Sequence, residues 1–249
     1  MRNDIYLSVV MPIYKQENLV AKYLNSIDKV LSKLNVTYEI ICVVDGYVDN
    51  TYANAKKLKL PNLKVVGYEK NQGKGNAVRY GMSQAKGKII GFVDGGFDLH
   101  YSAIPLALEH MKWYDADIIV GSKRHAASKV TYPWQRRMYS WGYQMGVRLL
   151  FGMNIKDSQV GMKFFKREIV KKIMPKLLIK KFAFDIEMLA VAYSYGYKRI
   201  YETPINLEMQ FNTSSIASFG FIKTVLNMLW DTVAVFYRLK ILHYYSGMK

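Results

Sequence analysis

The chain has 249 residues, of which 51% are hydrophobic and 22% charged. That is enough apolar surface to close a core without disulfide or metal staples, so small-scaffold and disordered classes are excluded. Thirty-six Lys and Arg against nineteen Asp and Glu leave a net charge of +17. A field of that sign attracts phosphate-bearing partners, whether nucleotide, nucleic acid or anionic membrane. One cysteine, Cys42, removes intrachain disulfides and Cys-rich zinc sites, and its apolar neighbours Ile41 and Val43 predict a buried thiol.

Short apolar runs alternate with longer amphipathic segments, the order that a sheet with crossover helices produces. Leu7–Met11, Tyr38–Val44, Leu63–Val66, Lys88–Val93 and Ile118–Val120 read as strands, bounded by Asp, Gly or Pro. Helices are expected near 17–34, 50–58, 74–85 and 102–113, the first showing Leu19, Val20, Tyr23, Leu24, Ile27, Val30 and Leu31 at helical spacing. From residue 133 the pattern becomes an aromatic helical stretch and then a basic stretch. A helix near 183–195, a strand near 197–203 and a terminal helix follow. The expected fold class is α/β. No Pro/Gly-rich linker, repeat or low-complexity segment divides the chain. No signal-peptide pattern opens it, and no run of eighteen apolar residues predicts a spanning helix.

In an open α/β sheet, ligands sit beyond the carboxyl ends of the strands, so the polar residues after each run carry the functional signal. After the first run comes MPIYKQEN, after the second VVDGYVDNT, and after the fourth DGGFD. One strand-end Asp reads first as a helix cap; three acid-bearing ends together point to a site. Asn71-Gln72-Gly73-Lys74-Gly75-Asn76 precedes a helix, where glycines let backbone N–H groups approach a phosphate. The spacing is not that of a Walker A loop, and the full dinucleotide fingerprint is missing. No HExxH, Gly-x-Ser-x-Gly, helix-turn-helix, zinc-finger or RNP-type segment occurs, so zinc protease, serine hydrolase and sequence-specific nucleic-acid readings lack support.

Taken in order, VVMPIYKQEN, VVDGYVDNT, NQGKGNAVR, FVDGGFD, GSKR, DSQVGMKFF and FDIEML resemble the inverting family-2 glycosyltransferases of the GT-A fold. The likeness is strongest to those that load glucose or mannose onto dolichyl or other polyprenyl phosphates, and spans residues 7 to 215. The resemblance implies a Rossmann-like, mostly parallel mixed sheet flanked by helices over residues 1–215. Residues 1–120 form its nucleotide-sugar half and 121–215 its acceptor half, and an amphipathic membrane-interface helix and tail occupy 216–249. It implies nucleotide binding by Pro12, Tyr14, Glu17, Asp45, Lys74 and Asp94, and acceptor binding by Lys123, Arg124, Arg136, Arg137, Gln159 and Lys163. Asp94, Asp98, Asp185, Arg124, Arg136 and Arg137 are the implied catalytic residues. Mg²⁺ or Mn²⁺ is the implied cofactor, bound by Asp94 and Asp98, because the family's second metal-segment acid is replaced here by Gly96.

The resemblance favours UDP-glucose as donor and a polyprenyl phosphate as acceptor. GDP-mannose, a saccharide acceptor and a non-catalytic sugar-nucleotide binder stay open as alternatives. Such an acceptor oxygen is already anionic, so positioning by cations matters more than a strong base. Residues 163–181 interleave eight Lys and Arg with Ile, Val, Leu and Met, which reads as a basic amphipathic surface for anionic headgroups. Phe221, Val225, Leu226, Leu229, Trp230, Val233, Phe236 and Tyr237 share a broad helical face. The expected location is peripheral, at the cytoplasmic face of a membrane, with no nucleic-acid partner and a homo-oligomer possible.

Overall fold

The computed structural model describes residues 4–96, 99–131, 134–181, 183–208 and 220–245, with residues 131, 134–139, 208 and 220–225 described by backbone. The first half alternates strictly: β1 (Leu7–Ile13), α1 (Val20–Leu31), β2 (Tyr38–Asp45), α2 (Thr51–Lys56), β3 (Leu63–Tyr68), α3 (Lys74–Gln84), β4 (Ile89–Val93), α4 (Ala103–Trp113) and β5 (Ile118–Ser122). The second half continues with β6 (Lys129–Thr131), α5 (Trp134–Phe151), β7 (Met162–Lys166), α6 (Arg167–Ile173), α7 (Phe184–Ser194), β8 (Ile200–Pro204), β9 (Asn206–Glu208) and α8 (Gly220–Phe236). A 3-10 turn spans Met174–Lys176, and a π-helical turn, Tyr237–Ile241, follows α8.

Seven strands form one sheet in the order β3-β2-β1-β4-β7-β5-β8, and β6 pairs with β9 separately. Only β7 runs against its neighbours in the large sheet. This is the expected mixed, mostly parallel sheet. Alternation sets its two faces: Leu7, Val9, Met11 and Ile13 join Ile40, Cys42 and Val44 under α1 and α4, whereas Val10, Ile41 and Val43 face α3 and α7. Burial pushes the Cys42 thiol up to about 12, so it is inert filling. β1 runs two residues past its expected end, through Pro12. It can do so because β4 pairs with β1 only from Leu7 to Val10, so the missing N–H falls beyond that ladder.

Two close approaches bring the crossover helix α3 and strand β7 onto the central strands. A Cβ at Gly81 would lie 2.4 Å from Val10 Cγ1, and one at Gly91 would lie 2.2 Å from Phe164. The basic stretch 163–181 is not one continuous surface. Its first residues form β7, in which Met162 to Phe165 are all buried, and Lys163 lies wholly inside the sheet. The exposed cations of this region are Lys171, Lys172, Lys180 and Lys181. α8 packs through Thr232 and Val235 on the core and touches α5, where Tyr143 and Thr232 share a 2.9 Å hydrogen bond. Among the described residues no helix is long and apolar enough to cross a membrane.

Candidate active site

β1, β2 and β4 end side by side, and the loops that follow them converge. The β1 loop is tied to the β2 loop: Glu17 Oε2 accepts the Asn50 backbone N–H at 3.0 Å and its side-chain amide at 3.2 Å. The Gln16 N–H donates to Thr51 Oγ1. Tyr14, just beyond Pro12, is 41% exposed and offers an open ring face, with Lys15 Nζ 5.4 Å from its centroid. Asp45 is buried, and its carboxylate accepts four hydrogen bonds, from the Tyr68 hydroxyl, the Asn71 amide and the backbone N–H groups of Gln72 and Gly73. It therefore shapes the turn before α3. Gly73 closes that turn at φ +95°, a conformation that other residues rarely adopt.

Lys74, the first residue of α3, links two acids. Its Nζ lies 2.9 Å from Asp94 Oδ2 and 3.6 Å from Asp185 Oδ2. Asp185, near the start of α7, is held by Lys163 at 2.5 Å, and Lys163 also donates to the Val160 carbonyl at 2.7 Å. Both ammonium groups lie over the Phe92 ring, at 5.4 and 5.3 Å. Burial opposes charge throughout this row. For Lys74 it is outweighed by Asp185 and Asp94, which raise the ammonium above its ordinary range. Burial would also raise Asp185, but Lys163 and Lys74 outweigh it and hold the carboxyl below its usual range. Lys163, wholly enclosed and beside a second cation, is lowered by burial despite Asp185.

Asp94 stands at the open end of this row. Its backbone N–H donates to the Gly161 carbonyl at 2.8 Å, and a Cβ at position 161 would fall 1.8 Å from Asp94 Oδ2. Oδ1 is buried without a hydrogen-bond partner. An orphaned carboxylate oxygen suits a hard divalent cation completed by donor oxygens and water. Among the described residues no three His, Cys, Asp or Glu side chains gather into a metal cluster. Asp98 lies outside the described residues.

A second region is a cavity of about 790 Å³ whose lining includes Lys123, Arg124, Arg148 and Lys156 together with Trp141 and Met145. Asp157 fixes Lys123 through its backbone N–H at 3.1 Å and its ammonium at 3.3 Å. Arg124 Nη2 donates to Ser140 Oγ, while its Nε is buried without a partner. Gln144 anchors the wall, accepting from Ser158 and donating to the Ile155 carbonyl. Gln159 donates to the Tyr143 hydroxyl at 3.4 Å and is not part of the cavity lining. Lys163 sits under the row and not in the cavity wall. The backbone of α5 includes Arg136 and Arg137, whose side chains lie outside the described ones.

Asp157, Gly161, Trp141, Arg148 and Lys156 were not singled out from the sequence. The DSQVGMKFF segment held the signal for the first two: a Gly between strand-forming residues marks a close approach. Apart from Lys123 and Arg124, the cavity wall had no local signal, because its members are spread over three segments.

The family model described as glycosyl transferase family 2 matches residues 8–174. The dolichyl-phosphate beta-glucosyltransferase of Drosophila melanogaster is 32% identical over 205 residues, and that of Dictyostelium discoideum is 30% identical over 205. In each case the match covers 76% of this chain and 63% of the relative. The chain thus spans less than two thirds of those relatives. Glucosyl-3-phosphoglycerate synthase from Mycobacterium tuberculosis, solved with Mn²⁺, uridine diphosphate and phosphoglyceric acid, shares the fold at a TM-score of 0.68 and 17% identity. That match covers 94% of this chain and 78% of that one. With the matched motifs lying on the convergent strand ends, the chain belongs to glycosyl transferase family 2.

Proposed function

We propose that the protein transfers glucose from UDP-glucose to a dolichyl or other polyprenyl phosphate, with inversion, at a membrane surface. The observation that carries this reading is a cavity that pairs the cations Lys123, Arg124 and Arg148 with Trp141 and Met145, in a chain that also builds the acid–cation row of Lys74, Asp94 and Asp185. Cations suit a phosphate head, and Trp141 and Met145 suit the first prenyl units. The relatives named dolichyl-phosphate beta-glucosyltransferases support the same substrate pair.

In this reading, Tyr14 and the Glu17 loop hold the nucleoside, and Asp45 fixes the turn that presents Lys74 to the diphosphate. Lys74 then bears on the charge that develops as the nucleoside diphosphate leaves. Lys123 and Arg124 place the acceptor phosphate, whose anionic oxygen attacks the anomeric carbon from the opposite face. Asp185 is engaged by two ammonium groups, so it positions the row and does not serve as the base. Asp94 would hold Mg²⁺ or Mn²⁺, which when bound supplies positive charge to the leaving diphosphate.

The outward face of α8 supports the membrane location. Leu226, Leu229, Trp230 and Val233 are exposed there, as are Trp141, Met145 and Leu149 on the adjoining α5, next to the cavity. The test incubates the protein, Mg²⁺ or Mn²⁺ and polyprenyl phosphate vesicles with labelled UDP-glucose or GDP-mannose, then counts label extracted into organic solvent. Label from UDP-glucose is expected. Label from GDP-mannose alone would replace the donor, and water-soluble product alone would replace the acceptor.

A further inference from the structure

Glu187 is fully buried, and the groups that satisfy it come from two distant parts of the chain. From one side the backbone N–H groups of Leu178 and Ile179 donate to it at 3.1 and 2.9 Å. From the other, the Tyr245 hydroxyl donates at 2.6 Å, and Arg238 Nη1 lies 3.7 Å from Oε1. Asp185, two residues earlier and so about 200° around the helix, faces the lysine row instead. Two acids in the first turn of one helix therefore hold different structures.

The segment that Glu187 holds is seated on the first turn of α3. The Lys180 carbonyl accepts the Asn76 N–H at 3.3 Å. There is no slack at this contact: a Cβ at Gly73 would lie 2.6 Å from the Lys180 carbonyl oxygen, and one at Gly75 would lie 2.6 Å from Phe184 Cβ. Lys74 lies between those two glycines, so its position follows the 178–181 backbone. Tyr245 is itself fixed, being 1% exposed with its carbonyl accepting from Lys176 at 3.1 Å and from the Tyr195 hydroxyl.

We propose that Glu187 and Tyr245 form a positioning pair through which the segment after α8 sets the donor-side Lys74. Donor affinity then depends on how that segment is seated, although it lies next to the proposed membrane-facing helix. The proposal rests on the donor-site reading above. It also assigns Glu187 a purpose that a carboxylate with no contact to the lysine row otherwise lacks.

The test is Tyr245→Phe, which keeps the ring and removes the donated hydrogen bond, with Tyr244→Phe as its neighbour control. UDP binding is measured by calorimetry, KM separately for UDP-glucose and polyprenyl phosphate, and tryptic cleavage after Lys180 and Lys181 by mass spectrometry. Losing a hydrogen bond to a charged group is expected to weaken UDP binding and raise the donor KM roughly five- to tenfold. The acceptor KM and kcat should stay within about twofold at saturation. Cleavage at the two lysines should accelerate and be slowed again by UDP. Glu187→Gln should shift the same quantities in the same direction.

Unchanged UDP affinity and cleavage in Tyr245→Phe would overturn the pairing. So would parallel loss of donor and acceptor binding in step with a lowered Tm, which is the behaviour of a merely structural contact. Absence of UDP binding by the unaltered protein would instead remove the donor reading itself.

Discussion

On the donor side Asp45 has four hydrogen-bond partners and Asp185 two ammonium partners, so the carboxylates are fixed before any ligand arrives. On the acceptor side the cavity wall adds exposed, long side chains of α5, Trp141, Met145 and Arg148, to the partly buried Lys123 and Arg124. Each region keeps one buried atom unsatisfied, Asp94 Oδ1 and Arg124 Nε. Both atoms are free to take a ligand contact, which would relieve the cost of burying them unpaired. The contrast suits a small, invariant nucleotide diphosphate on one side and a long, variable lipid on the other.

The contrast is broken most severely at Asp94. Asp94→Ala should lower kcat/KM for transfer by roughly three orders of magnitude with the fold retained, because it removes charge stabilisation specific to the leaving diphosphate. Gly161→Ala tests the same carboxylate from outside: its Cβ must displace Asp94, and a displacement of about 1 Å is expected to cost on the order of a hundredfold in rate. Circular dichroism with an unchanged Tm separates that loss from unfolding.

Rigidity of the donor side is tested by stability. Lys163→Met leaves Asp185 with one partner at 3.6 Å, and breaking a buried pair from one side costs about 3–5 kcal/mol, read from urea unfolding. Asp185 also sets a pH dependence. Its folded pKa is depressed, so its contribution is complete above the ordinary Asp value of 3.8 and is lost as pH falls through the lower folded value. Acid unfolding of Asp185→Asn should lack that step.

The acceptor side should respond in binding and not in stability. Lys123→Ala with Arg124→Ala is expected to raise the KM for polyprenyl phosphate about tenfold, with the donor KM unchanged and a steeper response to salt removed. The smallest effect belongs to the outer face of α8. Trp230→Ser exposes no new core and should weaken sedimentation with anionic vesicles severalfold, while Tm stays constant.

Much of the donor side is legible in the chain because its residues sit at strand ends, where local pattern and function coincide. MPIYKQEN, the Asp45 turn and NQGKGN each follow a short apolar run, and parallel pairing brings those ends into line. Lys163 was not legible as a core residue: its neighbours Met162, Phe164 and Phe165 are apolar, but read with the basic stretch after it, the residue passes for a surface cation. The Glu187–Tyr245 bond joins residues 58 apart with no shared motif.

The sequence by itself determined the α/β class, the family and the strand-end residues, because hydrophobic period and loop chemistry act over a few neighbours. Tertiary structure alone decided that Lys163 is buried under Asp185, that Gly161 lies against the Asp94 carboxylate, and that two acids on α7 hold different segments. Those outcomes depend on which surfaces meet when β7 inserts against the direction of the sheet and α8 packs on its far side, and burial of charge is tolerated only where the packed partner supplies the opposite charge.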